Sequence, residues 1–268
     1  MKKFIADKTG KLSKIALNKI DDLSFSSLMK ALRKKDVKIN GKRISTDCLV
    51  SVGDSIEIYY LPSVNERFSL LYKDENVLVL DKKSGFTSES VFDALKEEYP
   101  TIKFIHRLDR NTSGIMIFAL NEDAEKELLN GFKLRTFEKY YYATIVGIPK
   151  IKEATLTAYL FKDEKNSLVT ITDKPVKGSV LIKTGYVVEE ENDKTAVLRV
   201  KLYTGKTHQI RAHLAHVGHP IVGDGKYGDF AFNERVGAKR QMLRASELIL
   251  HFESKSPLYY LNNKVFKV

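Results

Sequence analysis

Apolar residues recur at helical spacing in two short stretches near the start of the chain. Leu12, Ile15, Ala16 and Ile20 form one set, and Leu28, Ala31 and Leu32 form another after a Ser-Phe-Ser-Ser lead-in. The spacing predicts two helices within residues 11–32, separated by a turn at Asp21-Asp22. The second runs into Arg33-Lys34-Lys35, cations that suit the negative end of a helix. The pattern then shifts to short β-like pieces at 37–39, 43–44 and 55–60. Asn40-Gly41 between two of them is a strong hairpin signal, and Gly53-Asp54 marks a turn before the last. Together these predict a small helix–helix–β module over residues 1–61. Leu61 to Arg67 carries Pro, Ser and Asn without periodicity, so 62–67 is predicted to be a linker to a second domain over 68–268.

In the second domain LLYKDENVLVLDK reads as two strands around a Lys-Asp-Glu-Asn turn. A short helix is predicted over 90–98, ending before Pro100, and an apolar strand over 115–120. Asn121 is placed to cap a helix over 122–130, with acids in its first turn and Gly131 at its end. Further strands are predicted at 137–147, 154–160, 167–172, 179–189 and 195–203. Ile210, Leu214 and Val217 share one helical face, which predicts a helix over 206–217. Helices set apart among hairpin-like strands predict an α+β fold. No repeat of solenoid period and no low-complexity tract interrupts this pattern.

Composition narrows the class. At 268 residues and 43% hydrophobic, the chain can bury a substantial core. Its apolar runs fall far short of the roughly 20 residues that span a bilayer. MKKFIADKTGK at the start lacks the apolar stretch of a secretory signal. A single cysteine, Cys48, excludes a disulfide framework and a multi-cysteine metal site. The simplest compartment is the cytosol, with no membrane partner. Charge adds a direction: 45 basic against 34 acidic residues leave a net +11. Residues 1–60 hold 13 Lys/Arg and 7 Asp/Glu, a net +6 in less than a quarter of the chain. Such a block is either a solvated surface or the footprint of a polyanion binder.

Three segments carry candidate chemistry. In HRLDRNTSG, His106 to Gly114, Asp109 lies between Arg107 and Arg110 just before an apolar strand. Neighbouring cations favour the ionised form of a carboxylate, which suits a nucleophile or base better than a proton donor. In FEKYYYATIVG, Phe137 to Gly147, three consecutive tyrosines put at least one ring on each face of a strand. Core packing accounts for some of them, and one could stack on a nucleobase. The third segment, Leu202 to Gly228, holds four of the six histidines. Its Gly-Lys-Thr at 205–207 is no P-loop, because that motif needs Gly at position 200, where Val stands. His208, His213, His216 and His219 do not form an HExxH set, and no carboxylate joins them at close range before Asp224, so a metal is not favoured. The remaining reading is a helix whose Arg211 reaches a catalytic carboxylate while Thr207 and His208 touch phosphate or sugar.

HRLDRNTSG, EKYYYATIVG and TGKTHQIRAHLAHVGHPIVGDGKYG, in this order and spacing, closely resemble the three signature segments of the RluA-type pseudouridine synthases. LLYKDENVLVLDKKSG resembles that family's first strand pair, and residues 11–60 resemble a small RNA-binding module named after a ribosomal small-subunit protein, the S-four-like domain. One departure stands out: Lys83-Ser84-Gly85-Phe86-Thr87-Ser88 replaces the family's usual Lys-Pro-Ala-Gly and His-Pro.

The resemblance implies a catalytic domain built on a large, mostly antiparallel mixed sheet with flanking helices. It implies isomerisation of uridine to pseudouridine in RNA, with the target nucleotide flipped out of its stack. Asp109 matches the family's essential aspartate, Tyr141 the tyrosine that packs on the uracil, and Arg211 the basic residue that pairs with the aspartate. Ile210 matches an apolar position behind the site, Arg107 a position that fills the gap left by the base, and Lys206, Thr207 and His208 a phosphate-facing stretch. The N-terminal module would add phosphate contacts through Lys30, Arg33, Lys34, Lys35, Lys38, Lys42 and Arg43. Since the reaction conserves atoms, no redox cofactor, ATP or metal is expected. The expected partner is RNA, with large-subunit ribosomal RNA favoured and transfer RNA the alternative, acted on by a monomer. Rival readings are a catalytically inactive RNA-binding or ribosome-assembly protein and a metal-dependent RNA hydrolase.

Overall fold

The computed structural model describes residues 1–20, 23, 25–60, 67–163 and 168–268. The predicted Asp21-Asp22 turn and positions 62–66 of the predicted linker lie outside the described residues. The chain divides into two units, residues 1–66 and 67–268. Arg67, grouped with the linker on sequence, joins the second unit. Its Nη1 donates to the Ser90 carbonyl at 2.9 Å, and its own carbonyl accepts the Lys83 N–H at 2.7 Å.

In the first unit, strand β1 (Lys2–Ile5) precedes helices α1 (Leu12–Lys19) and α2 (Phe25–Arg33). Strands β2 (Val37–Ile39), β3 (Lys42–Ile44) and β4 (Ser55–Ile58) follow, and the sheet order is β1-β4-β2-β3, all antiparallel. Leu12, Ile15, Ala16, Leu28 and Leu32 bury against Val37, Ile56 and Ile58, which accounts for the helical spacing seen in the sequence. Strand β1 went unread because only Phe4 along it is drawn from solvent, too weak an alternation to recognise.

The second unit is built on an eleven-stranded mixed sheet. Its labelled strands are β5 (Phe68–Lys73), β6 (Val77–Lys82), β7 (Ser113–Ala119), β8 (Glu138–Val146), β9 (Glu153–Asp163), β10 (Leu168–Thr172), β11 (Val180–Asn192), β12 (Thr195–Leu202) and β13 (Leu243–Ile249). The order is β10-β9-β11-β12-β8-β13-β7-β6-β5, with short strands at Lys103–Phe104 and Val265–Lys267 beside it. Among the described residues only the β7–β13 pairing is parallel. Every position of β6 is buried because both sheet faces are covered at this end. Leu78 and Leu80 face one core with α3 (Ser88–Lys96) and α5 (Gln209–His216). Val77 and Val79 face another with α4 (Glu122–Leu134), Leu258 and Phe266.

Two of the glycines fixed by close approach bear on this sheet and its helices. Gly114 sits at φ +115°, and a Cβ there would lie 2.1 Å from the Ala245 carbonyl oxygen, so the parallel β7–β13 contact requires glycine. Gly131 does not end α4 as the sequence suggested. The helix continues to Leu134 and is capped by Arg135 in the left-handed region. Gly131 is there because the Phe137 ring packs onto it, 2.1 Å from where a Cβ would stand. The predicted start of α4 is observed: the Asn121 side chain accepts the Ala124 N–H at 2.9 Å, a cap worth about 1 kcal/mol. Among the described residues no helix is long and apolar enough to cross a membrane.

Candidate active site

Asp109 follows the buried Leu108 in the loop leading to β7, and that loop is clamped from beneath. The fully buried Ser88 hydroxyl, at the start of α3, donates to the Leu108 carbonyl and accepts the Leu108 N–H, both at 2.9 Å. The segment that departs from the family pattern supplies more of the clamp. Gly85 N–H donates to the Arg110 carbonyl at 2.9 Å, Arg110 Nε donates back to the Gly85 carbonyl at 3.0 Å, and Ser84 Oγ donates to the Asn111 carbonyl at 2.8 Å. Lys82 ends β6 fully buried, and its Nζ donates to the carbonyls of Phe86 at 2.8 Å and of Lys83 and Arg110 at 3.1 Å. Burial pulls Lys82 down to about 8, against the attraction of Asp109 and Asp81. Thr112, just past Asp109, accepts from Gln241 Nε2 at 2.6 Å.

The cations beside Asp109 in sequence are not its partners. Arg107 turns outward to Glu89 at 3.4 Å with its side chain 72% exposed, and Arg110 holds the Gly85 carbonyl. The chain turns at Arg110-Asn111, with the Thr112 N–H donating to the Asp109 carbonyl at 3.1 Å. The partner is Arg211 on α5, whose Nη1 donates to Asp109 Oδ2 at 2.8 Å. The Asp109 side chain keeps 25% of its surface exposed, so the carboxylate is reachable from solvent.

Arg211 is held by a residue that sequence reasoning passed over. Asp224, fully buried, takes Nε on Oδ2 at 2.7 Å and Nη2 on Oδ1 at 2.9 Å. Its Oδ1 also accepts the N–H groups of Lys226 and Tyr227 at 2.8 and 3.1 Å. Burial pushes the Asp224 carboxyl up, but the Arg211 guanidinium and these N–H groups outweigh it and hold it below its ordinary value. A carboxylate after apolar Ile221-Val222, with glycine on each side, was the available signal, since a buried charge there needs a cation from another element.

Helix α5 begins at Gln209 rather than at 206, because His208 takes a left-handed conformation at φ 54°. The buried Gln209 side chain closes the turn before it, accepting the Thr204 hydroxyl at 2.8 Å and the Lys206 N–H at 3.2 Å. Lys206 and Thr207 are consequently exposed in this loop. His208 Nδ1 lies 2.9 Å from the Tyr227 hydroxyl, and that oxygen accepts the Val169 N–H at 2.9 Å. The other ring nitrogen, Nε2, lies 3.9 Å from Asp109 Oδ2. Burial lowers His208, against the pull of Asp109.

Tyr141 and Ile210 share one core with Leu108 and Ala245. Burial, with the Asp109 charge in addition, raises the Tyr141 phenol and keeps it protonated. Tyr140 points to the opposite face, where its hydroxyl donates to Glu138 at 2.7 Å and Arg199 lies over its ring at 4.0 Å. The structure thus brings Asp109, Tyr141, His208, Ile210 and Arg211 together, while Arg107, Lys206 and Thr207 stand exposed.

The four histidines of the third segment have separate partners. His213 Nδ1 meets Thr184 Oγ1 at 3.0 Å, His216 meets Asp173 at 2.8 Å and His219 meets the Val146 carbonyl at 3.1 Å. Among the described residues no three His, Cys, Asp or Glu side chains gather to hold a metal ion. Burial lowers His213 from its ordinary 6.5 to about 4, so folding favours the neutral ring. Its contribution to stability is complete above about pH 6.5 and is lost as pH falls through about 4. Melting temperatures should therefore drop across this window, and less so in His213→Gln; equal slopes for the two proteins would contradict the assignment.

A sequence model of the RNA pseudouridylate synthases matches residues 67–216, the stretch from β5 through α5 that carries Asp109, Tyr141 and Arg211. The chain belongs to that family, and it is an RNA pseudouridine synthase of the RluA type. It is 28% identical to ribosomal large subunit pseudouridine synthase C of Vibrio parahaemolyticus over 91% of this chain and 86% of the relative. It is 33% identical to the dual-specificity RNA pseudouridine synthase RluA of Escherichia coli over 78% of this chain and 95% of the relative. Among solved structures, human RNA pseudouridylate synthase domain containing 1 is similar with a TM-score of 0.64 and 26% identity, over 78% of this chain and 84% of that one.

Proposed function

We propose that this enzyme isomerises uridine in large-subunit ribosomal RNA, with Asp109 as the group that meets the ribose. The observation that carries the role of Asp109 is its geometry: a partly exposed carboxylate with one oxygen, Oδ2, held by Arg211 at 2.8 Å. A stacked nucleotide hides its glycosidic carbon, so the uridine must leave the stack at a cost of a few kcal/mol. Tyr141 supplies a ring for the extruded uracil, backed by Ile210. Arg107, exposed beside the Asp109 loop, is suited to fill the vacated space, and Lys206, Thr207 and His208 to meet phosphate or sugar. Asp109 then either attacks C1′ or removes the C2′ proton. The N1–C1′ bond breaks, the uracil turns, and C5 bonds to C1′.

The choice of RNA rests on how far the relatives extend. The match to synthase C takes in 91% of this chain, more than the second unit alone can supply, whereas the match to the dual-specificity enzyme takes in 78%. The proposal assigns the first unit to RNA docking as an S-four-like domain. Lys30, Arg33, Lys34, Lys35, Lys42 and Arg43 are all exposed on it. Lys38 is half-buried, lies over the Tyr59 ring and is 4.0 Å from Glu57, so it offers less charge to a phosphate. Assaying the purified enzyme on unmodified transcripts of both RNAs tests the choice: pseudouridine should form in the large-subunit transcript, and formation in transfer RNA alone would refute it. Changing Lys30, Arg33, Lys34 and Lys35 together to Gln should lower RNA affinity. The slope of log K against log salt should flatten by up to about 3, at ~0.7–0.9 per phosphate contact. An unchanged slope would remove the first unit from the interface.

A further inference from the structure

Arg211 is bound by two carboxylates of different character. The Asp109 side chain keeps 25% of its surface exposed and accepts one hydrogen bond from the guanidinium, while Asp224 is sealed from water and accepts two. Asp224 is itself fixed by two backbone N–H groups, so it does not depend on Arg211 alone for its place. Along Asp109–Arg211–Asp224 the net charge is −1, and Asp109 is the partly exposed member.

This inference rests on Asp109 being the reacting group. If Asp109 attacks C1′, an Oδ–C1′ bond forms and the N1–C1′ electron pair leaves with uracil. If it takes the C2′ proton, the C2′–H pair becomes a C1′–C2′ double bond and the N1–C1′ pair again leaves with uracil. Either way Asp109 becomes neutral and uracil takes the negative charge. When C5 bonds to C1′, Asp109 either leaves C1′ as the carboxylate or returns its proton to C2′; the C5 proton is then lost and N1 gains one, so charge and atoms balance. During that interval Arg211, only 6% exposed, would be a buried and uncompensated cation if Asp109 were its sole partner.

We propose that Asp224 is the standing counter-ion of Arg211, a positioning residue that keeps the guanidinium neutralised and oriented while Asp109 gives up its charge. A second consequence follows from the same arrangement. A guanidinium shared with Asp224 draws less on the electrons of Asp109, which leaves Asp109 the stronger nucleophile or base.

The test is a double-variant cycle on the full chain, with RNA affinity, kcat, KM and melting temperature measured for each protein. Asp224→Asn should lower kcat by about 10²-fold, the scale of a misplaced reacting group, with KM and RNA affinity unchanged. In an Arg211→Met background the same change should cost no further activity and should raise the melting temperature, because it removes a buried carboxylate without a cation. A wild-type kcat in Asp224→Asn would overturn the proposal, as would equal losses in both backgrounds. If Asp224→Asn alone does not fold, the comparison of Arg211→Met with the double variant still decides: a lower melting temperature in the double variant refutes the counter-ion role. Asp109→Asn runs beside the series. If it is active, the assignment of Asp109 fails; if it is inactive while Asp224→Asn matches wild type, only this inference fails.

Discussion

Asp109→Asn should form pseudouridine about 10⁴-fold more slowly than the wild type while binding RNA within about threefold of it. The substitution is nearly isosteric. The asparagine carbonyl can still accept Arg211 Nη1, so the 2.8 Å contact and the loop survive. Arg211 remains neutralised by Asp224 through its two other donors. The clamp on the Asp109 loop, from Ser88, Ser84 and Lys82, holds backbone carbonyls and N–H groups and is untouched. What disappears is the anionic oxygen proposed to bond to C1′ or to accept the C2′ proton. Single-turnover assays on a fixed transcript, with filter binding on the same RNA, separate the two quantities. A rate within tenfold of wild type, with binding intact, would show that the reaction does not pass through this side chain.

Arg211→Met carries the largest expected loss of stability, about 3–5 kcal/mol, the range for removing one partner of a buried ion pair. Methionine fills much of the volume but leaves Asp224 fully buried with only the N–H groups of Lys226 and Tyr227. Asp109 is partly exposed and recovers water, so its share of the loss is small. Denaturant unfolding measures the change directly. A loss under about 1 kcal/mol, the scale of a surface pair, would mean that water reaches Asp224.

How much of this was legible in the chain depends on where each signal lay. The helices and strands announced by periodicity or caps were readable: Asn121 at the start of α4, the Leu12 and Leu28 sets, the β5–β6 hairpin. Two helix ends were not. Gly131 looked like a stop but answers to the Phe137 ring, a residue outside the helix. The start of α5 is set by Gln209, whose side chain folds back onto the preceding loop and Thr204. In the site, Asp109, Tyr141 and Arg211 stood in recognisable segments. The pairing of Asp109 with Arg211, 102 residues further along, was legible only through the family resemblance, because Arg107 and Arg110, which flank the aspartate in sequence, turn to Glu89 and the Gly85 carbonyl. Asp224, Tyr227 and Lys82 were invisible as site residues. Their meaning lies in burial and in partners supplied by other elements, which no spacing within one segment encodes. Lys82 is the sharpest instance: a lysine ending an apolar strand looks like a solvated terminus, yet it caps three carbonyls under the Asp109 loop.

The most direct test of the account is a map of pseudouridines in total RNA from cells lacking this gene, compared with the same cells supplied with wild-type or Asp109→Asn protein. Specific uridines in large-subunit ribosomal RNA should lose the modification in the deletion strain, regain it with the wild-type protein and stay unmodified with Asp109→Asn. Pseudouridine patterns identical in all three strains, or full restoration by the asparagine variant, would contradict it.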